Sequence, residues 1–170
     1  MILFLVGYAG SGKSTIARRI ARRLGLRVVD TDKCVEEQVG ASVADIFLYE
    51  GEEYFRRSER KVVEELASDA DLIVATGGGL PTWSDNMELL NRMGITIYLR
   101  RKPEQILSRL SAYGREKRPM FRGKNDEELL AFMHEQLAQR EAYYAASKIV
   151  VDCATLSDDE LVEYIVSKIE

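Results

Sequence analysis

Residues 7–15 read Gly-Tyr-Ala-Gly-Ser-Gly-Lys-Ser-Thr and satisfy G-x-x-x-x-G-K-[ST], a spacing suited to holding phosphate. Gly7, Gly10 and Gly12 let the backbone curl without side-chain clashes. The N–H groups of Gly10, Ser11, Gly12, Lys13, Ser14 and Thr15 can then converge on an anion at the start of a helix, where the helix dipole adds partial positive charge. Lys13 is placed to reach the β- and γ-phosphates, and the Ser14 hydroxyl to ligate Mg²⁺. The plain alternative is a glycine turn between strand and helix. Average glycine usage makes a chance match in such a chain about a one-in-a-hundred event.

Four further groups carry chemistry-bearing residues. In Asp30-Thr31-Asp32 two carboxylates lie two apart, so in extended backbone they share a face, one able to serve a metal and the other a substrate hydroxyl. Helix capping by Asp32 or Thr31 is the alternative and is compatible with a ligand role. Phe55-Arg56-Arg57-Ser58-Glu59 sets two arginines beside an aromatic ring, and arginine suits bidentate carboxylate binding. For an isolated arginine pair a solvated helix face is the plainer reading. Gly77, Gly78 and Gly79 follow Thr76 and mark either close approach of backbone to a ligand or a flexible turn. Finally, the stretch from Gly114 to Lys124 carries Arg115, Lys117, Arg118, Arg122 and Lys124 against the single acid Glu116. It reads as a lid closing cations over phosphates, as a solvated loop, or as a weak nucleic-acid patch that lacks interleaved aromatics.

Such residues need elements to place them. Ile2 to Val6 is a buried strand running into the phosphate loop, and Ser14 to Leu24 is a helix with Ile16, Ala17, Ile20, Ala21 and Leu24 on one face. Gly25 stops it, and 26–29 form a second strand whose carboxyl end delivers Asp30. Open α/β sheets bind ligands at that end of their strands. Lys33 to Ser68 reads as a helical insertion, 72–75 as a third strand ending at the glycines, and 95–99 as a fourth. Between them, Ser84 or Asp85 opens a helix to Met93. Pro103 starts another that ends at about Leu110, and Gly114 to Lys124 breaks helical periodicity. A helix from Asp126 to about Ala146, a fifth strand at 148–151 and a last helix at 158–169 complete the chain. Ser157 and Glu160 give that last helix a capping box, and His134, the only histidine, is an ordinary helix residue. Strands alternating with helices imply one domain, a parallel three-layer α/β/α sandwich.

Composition narrows the class. With 24 basic and 28 acidic residues the net charge is −4, which gives no global attraction to nucleic acid or an anionic membrane, so any anion site is local. Two cysteines, Cys34 and Cys153, are too few for a disulfide framework and suit reduced thiols in a cytoplasmic protein. The apolar start is too short for a signal peptide or a membrane span.

Taken in order, Gly7-x-x-x-x-Gly12-Lys13-Ser14, Asp30-Thr31-Asp32, Phe55-Arg56-Arg57-x-Glu59, Thr76-Gly77-Gly78-Gly79 and Arg118-Pro119 resemble the shikimate kinase family over essentially the whole chain. The resemblance implies a P-loop fold like that of nucleoside monophosphate kinases, a single domain over 1–170 with a five-stranded parallel sheet in order 2-3-1-4-5. It further implies a substrate-binding helical insertion at about 33–61 and a lid at about 111–125. The implied reaction converts ATP and shikimate to ADP and shikimate 3-phosphate, with Mg²⁺, on the route to aromatic amino acids, in a cytoplasmic monomer.

Carried over by position, Lys13 binds phosphate, Ser14 ligates Mg²⁺ and Asp30 approaches that metal through water. Asp32 holds the shikimate hydroxyls and is the candidate base. Arg56 and Arg140 clamp the carboxylate, Gly78 and Gly79 offer backbone N–H groups, and Arg118 swings in with the lid. Two positions depart from the family pattern. Ser111 stands where an arginine usually stacks on adenine, with Arg109 or Arg115 as substitutes. The segment from Val151 to Ser157 lacks the usual proline, and the Ser157 cap is a substitute means of fixing it. A gluconate-type or nucleoside monophosphate kinase shares the loop and lid but does not predict the Asp30/Asp32, Arg56 and glycine groups together. A non-catalytic relative typically loses the lysine, an aspartate or the lid arginine, all retained here.

Overall fold

The structure, a computed structural model, describes residues 1–68 and 70–170. Five strands, β1 (Ile2–Val6), β2 (Arg27–Asp30), β3 (Leu72–Ala75), β4 (Ile95–Arg100) and β5 (Ile149–Asp152), form one parallel sheet in the order β2-β3-β1-β4-β5. That is the order the family resemblance implies. β1 and β3 are apolar throughout because both faces of the sheet are covered, which removes the need for alternation. Phe4, Val6, Val74 and Tyr98 point to one side. Leu3, Leu5, Ile73, Ile97 and Leu99 point to the other.

The second side is covered by α1 (Lys13–Leu24) and α9 (Asp158–Ile169) through Ile16, Ile20, Leu161 and Ile165. The first is covered by α5 (Asn86–Met93), α6 (Pro103–Arg109) and α8 (Asp126–Ala145) through Leu90, Ile106, Leu129, Met133 and Tyr144. The expected helical insertion divides into α2 (Thr31–Val39), α3 (Val43–Tyr49) and α4 (Glu52–Glu64), which share a small core of Val35, Ile46, Phe55 and Val62.

Three local expectations shift. The second strand includes Asp30, and the backbone turns helical at Thr31, so Asp30 and Asp32 do not share an extended segment. The cap of α2 is Asp30 itself, whose Oδ1 accepts from the N–H groups of Asp32 and Lys33 at 3.1 and 3.3 Å. The basic stretch is ordered as α7 (Ala112–Lys117) followed by a 3-10 turn at Pro119–Phe121, because Ser111 caps α7 by accepting from the Gly114 N–H at 3.0 Å. His134 is an exposed residue of α8, paired with Glu104 at 2.6 Å. Among the described residues no helix is long and apolar enough to cross a membrane. The parallel register brings the carboxyl ends of β1, β2 and β3 to one rim, and with them residues 7–15, 30–32 and 76–79.

Candidate active site

The rim opens on a cavity of about 860 Å³. Gly12, at φ 93°, turns the phosphate loop directly into the first turn of α1, so the N–H groups that open that helix face the cavity. Lys13 is only 8% exposed, and its Nζ donates to the carbonyls of Gly7 at 2.7 Å and Tyr8 at 2.9 Å. Burial, and then the nearby Arg118 guanidinium, push its pKa down to about 7. Ser14 Oγ donates to Asp30 Oδ2 at 3.1 Å, while Asp30 Oδ1 takes the two N–H groups that open α2. One carboxylate thereby locks the phosphate loop to the helix that carries Asp32. Asp32, in the first turn of α2, has its pKa raised by burial and by Asp30, with Lys13, Lys117 and Arg56 opposing.

On α4, Arg56 is buried, and its guanidinium lies 5.4 Å from the Phe55 ring centre and 5.9 Å from that of Phe47. Its Nη1 donates to Glu59 Oε2 at 2.8 Å, an i,i+3 pair on one helix face. Glu59 is fully buried, its Oε1 is without a hydrogen bond, and burial pushes its pKa up to about 7 against the pull of Arg56. Arg57 points away and pairs with Glu53, so the expected arginine pair divides into one site residue and one surface residue.

The glycine triplet is explained by close approach. A side chain on Gly77 would meet Asp32 Oδ1 and Glu59 Oε1, each at 2.7 Å, and one on Gly79 would overlap the Arg56 guanidinium. The loop is fixed by the Gly77 N–H donating to Thr31 Oγ1 at 2.9 Å and by the Tyr144 hydroxyl donating to the Gly78 carbonyl at 2.5 Å. Arg140, one turn before Tyr144 on α8, lies against Gly78 and lines the cavity.

The lining therefore brings together Gly10, Gly12, Lys13, Ser14, Thr15, Asp30, Asp32, Arg56, Gly78, Gly79, Arg118 and Arg140, each picked out from the sequence. Ser11 is the exception. Its side chain is buried without a hydrogen-bond partner, its N–H donates to the Tyr8 carbonyl at 3.2 Å, and its own carbonyl accepts from Arg101 Nε.

Of the lid cations, Arg115 pairs with Asp126, Arg122 donates to the Glu116 carbonyl and Lys124 to the Met120 carbonyl. Arg118 lines the cavity while donating to the Gly114 carbonyl at 2.8 Å, and Lys117 joins it there. Of the two substitutes for Ser111, Arg109 lies over Gly12, 3.5 Å from Asp158, whereas Arg115 is engaged with Asp126. Ser157 does cap α9, accepting from the Glu160 N–H at 3.2 Å. The Val151 to Ser157 segment is also tied from beneath: the Ala154 N–H donates to Asp152, and Gln105 donates to the Ala154 carbonyl.

Sequence reading left Glu59, Tyr8, Gln136 and Tyr144 without roles. The signal for Glu59 was its i,i+3 spacing from Arg56. For the α8 residues it was the i,i+4 series Gln136, Arg140, Tyr144.

Comparison with known proteins adds an independent finding. The family profile described as shikimate kinase matches residues 9–170. A shikimate kinase of Phocaeicola vulgatus is 37% identical over 161 residues, covering 95% of this chain and 91% of the relative. The crystal structure of shikimate kinase from Bacteroides thetaiotaomicron superposes with a TM-score of 0.88 at 33% identity, covering 99% of this chain and 96% of that one. The structure of the Acinetobacter baumannii shikimate kinase in complex with shikimate gives the same TM-score and identity, covering 99% and 92%.

Proposed function

This chain belongs to the shikimate kinase family, and on that premise we propose that it transfers the γ-phosphoryl group of ATP to the 3-hydroxyl of shikimate. The observation that carries the reading is one cavity holding a phosphate loop, a free aspartate and two arginines from separate helices. Phosphate, a hydroxyl and a carboxylate each find a partner there.

In this reading the acceptor carboxylate lies between Arg56 and Arg140. Glu59 holds the Arg56 fork in place, and the N–H groups of Gly78 and Gly79 face the acceptor. Asp32 takes the proton of the attacking hydroxyl, a task its raised pKa suits. The new bond joins that oxygen to phosphorus as the bond to the ADP oxygen breaks. Lys13 and Arg118 neutralise charge on the transferring group, and positioning supplies most of the rate. Phosphate burial raises the demand for Lys13 as a cation, which opposes its depressed pKa.

Ser14 and Asp30 are the residues that would hold Mg²⁺, which would supply positive charge against that of the phosphates. Their hydrogen-bonded hydroxyl and carboxylate oxygens are hard donors at the phosphate loop. Among the described residues no three His, Cys, Asp or Glu side chains form a metal cage. Mg²⁺ would need few protein ligands there. Arg109, which lies over Gly12, is the guanidinium available to face the nucleotide in place of Ser111. The reading is of a cytoplasmic enzyme acting as a monomer, and the two free thiols suit a reducing compartment.

A coupled ADP-release assay with Mg²⁺-ATP across shikimate, gluconate, AMP and CMP tests the reading. Turnover with shikimate is the expected result. Turnover confined to another acceptor replaces the substrate, and binding of both ligands without turnover replaces the enzyme by a binding protein.

A further inference from the structure

Tyr8, the second residue of the phosphate loop, is 2% exposed and is attached to three elements at once. Its carbonyl accepts from Lys13 Nζ at 2.9 Å. Its hydroxyl donates to Gln136 Oε1 on α8 at 2.5 Å. Its ring stacks on Phe121, with centroids 6.2 Å apart and planes at 20°, and Phe121 in turn meets Phe132 of α8 edge-on at 6.4 Å.

Those contacts lead to the two arginines that must meet the reacting groups. Gln136 sits one helical turn before Arg140, so the bond to Tyr8 fixes the turn that aims the acceptor arginine. Phe121 closes the 3-10 turn that begins immediately after Arg118, the phosphoryl-facing arginine. Burial raises the Tyr8 pKa, so the hydroxyl stays a neutral donor, and Arg140 and Arg118 both act on it electrostatically. A ring this enclosed cannot turn without moving its neighbours, because packed interiors transmit displacement rather than absorb it.

We propose that Tyr8 is a positioning residue that links occupancy of the phosphate loop to occupancy of the acceptor pocket, through Gln136 to Arg140 and through Phe121 to Arg118. Loop and acceptor pocket come from distant parts of the sequence, and Tyr8 is a buried side chain of the loop that bonds to the helix carrying Arg140. The inference rests on the reading that shikimate and a nucleotide are the two ligands.

The test is calorimetric titration of shikimate with and without Mg²⁺-ADP. The unmodified protein is expected to bind shikimate at least about fivefold more tightly when nucleotide is present, the lower end of ordinary coupling between sites. Tyr8→Phe is expected to bring that ratio below about twofold, while nucleotide affinity measured alone changes by no more than about fivefold, the worth of one neutral hydrogen bond. Gln136→Ala removes the same bond from the other side and carries the test if Tyr8→Phe does not fold. The double variant should lose no more than either single one. His134→Ala, which breaks a bond on the outer face of α8, should leave the ratio intact. A merely structural role would lower thermal stability without touching the ratio. An unchanged ratio in Tyr8→Phe and Gln136→Ala overturns the inference, as does an equal fall in His134→Ala or no ratio above one in the unmodified protein. Failure of shikimate to bind under either condition overturns the proposed function, and this inference with it.

Discussion

Replacing Glu59 by glutamine tests the electrostatics at the base of the acceptor pocket. Glu59 is fully buried, one oxygen bonded to Arg56 and the other without a hydrogen bond, and its pKa is raised from the ordinary 4.5 to about 7. A carboxyl whose pKa is raised in the folded state binds more protons there than when unfolded, so stability falls as pH rises from about 4.5 through 7. At about 1.4 kcal/mol per pKa unit, the contribution lost between pH 5 and pH 8 is on the order of 2 to 3 kcal/mol. Lys13 works in the opposite direction: its depressed pKa means that stability rises with pH through and above 7. The raw pH profile therefore mixes the two, and the difference between variant and unmodified protein isolates Glu59. Glutamine keeps an oxygen to accept from Arg56 Nη1 and never ionises. Urea unfolding should show the stability advantage of Glu59→Gln over the unmodified protein growing by about 2 to 3 kcal/mol between pH 5 and pH 8. A difference that does not vary with pH refutes the reasoning. So does a variant less stable at pH 8, which would mean that attraction to Arg56 outweighs the cost of burying the charge.

Arg118→Ala should lower kcat about 10²- to 10³-fold with the KM of either substrate little changed, because its charge is needed as the phosphoryl group transfers; steady-state kinetics check this, and an unchanged kcat removes Arg118 from the mechanism. Gly79→Ala places a methyl group on the Arg56 guanidinium and should raise the KM for shikimate while sparing that for ATP; equal effects on both would point to general disruption of the loop. Nucleotide binding should draw up to one proton onto Lys13 at pH 7.5 to 8, since phosphate favours the charged form of a lysine whose pKa is about 7. Calorimetry in buffers of different ionisation enthalpy reads this directly, and identical heats in all buffers would refute it.

The sheet was legible because its signals are local. β1 and β3 are unbroken apolar runs bounded by glycine or aspartate, and no other placement satisfies them as well as a doubly covered parallel sheet. The phosphate loop was legible because one short segment supplies all its donors. The aspartate pair was read in the wrong backbone, as extended rather than as a cap and first turn. A cap depends on where the helix begins, and Asp30, Asp32 and Thr31 all suit that position. The order of α7 was hidden for a similar reason: Gly114 reads as a breaker, yet the Ser111 hydroxyl takes its N–H and the helix passes through. The Glu59 contact to Gly77 and the Tyr8 bond to Gln136 join residues 18 and 128 positions apart, which no periodicity reveals.

Asp30, Asp32 and Glu59 line one cavity with Lys13, Lys117, Arg56, Arg118 and Arg140, and their surroundings divide the work among them. Asp30 is committed on both oxygens, to the Ser14 hydroxyl and to two backbone N–H groups of α2. Glu59 lines the same cavity but has no exposed surface, holds Arg56 through one oxygen and packs the other against Gly77. Asp32 lies between them, half-buried, with the opening cavity on one side and Asp30 on the other. Burial and its neighbour's charge raise its affinity for a proton, and exposure to the cavity lets that proton come from an acceptor. The proposed base is Asp32 because Asp30 is committed to capping and to Ser14, and Glu59 to Arg56. A glycine at position 77 is what allows Asp32 and Glu59 to approach without a side chain between them.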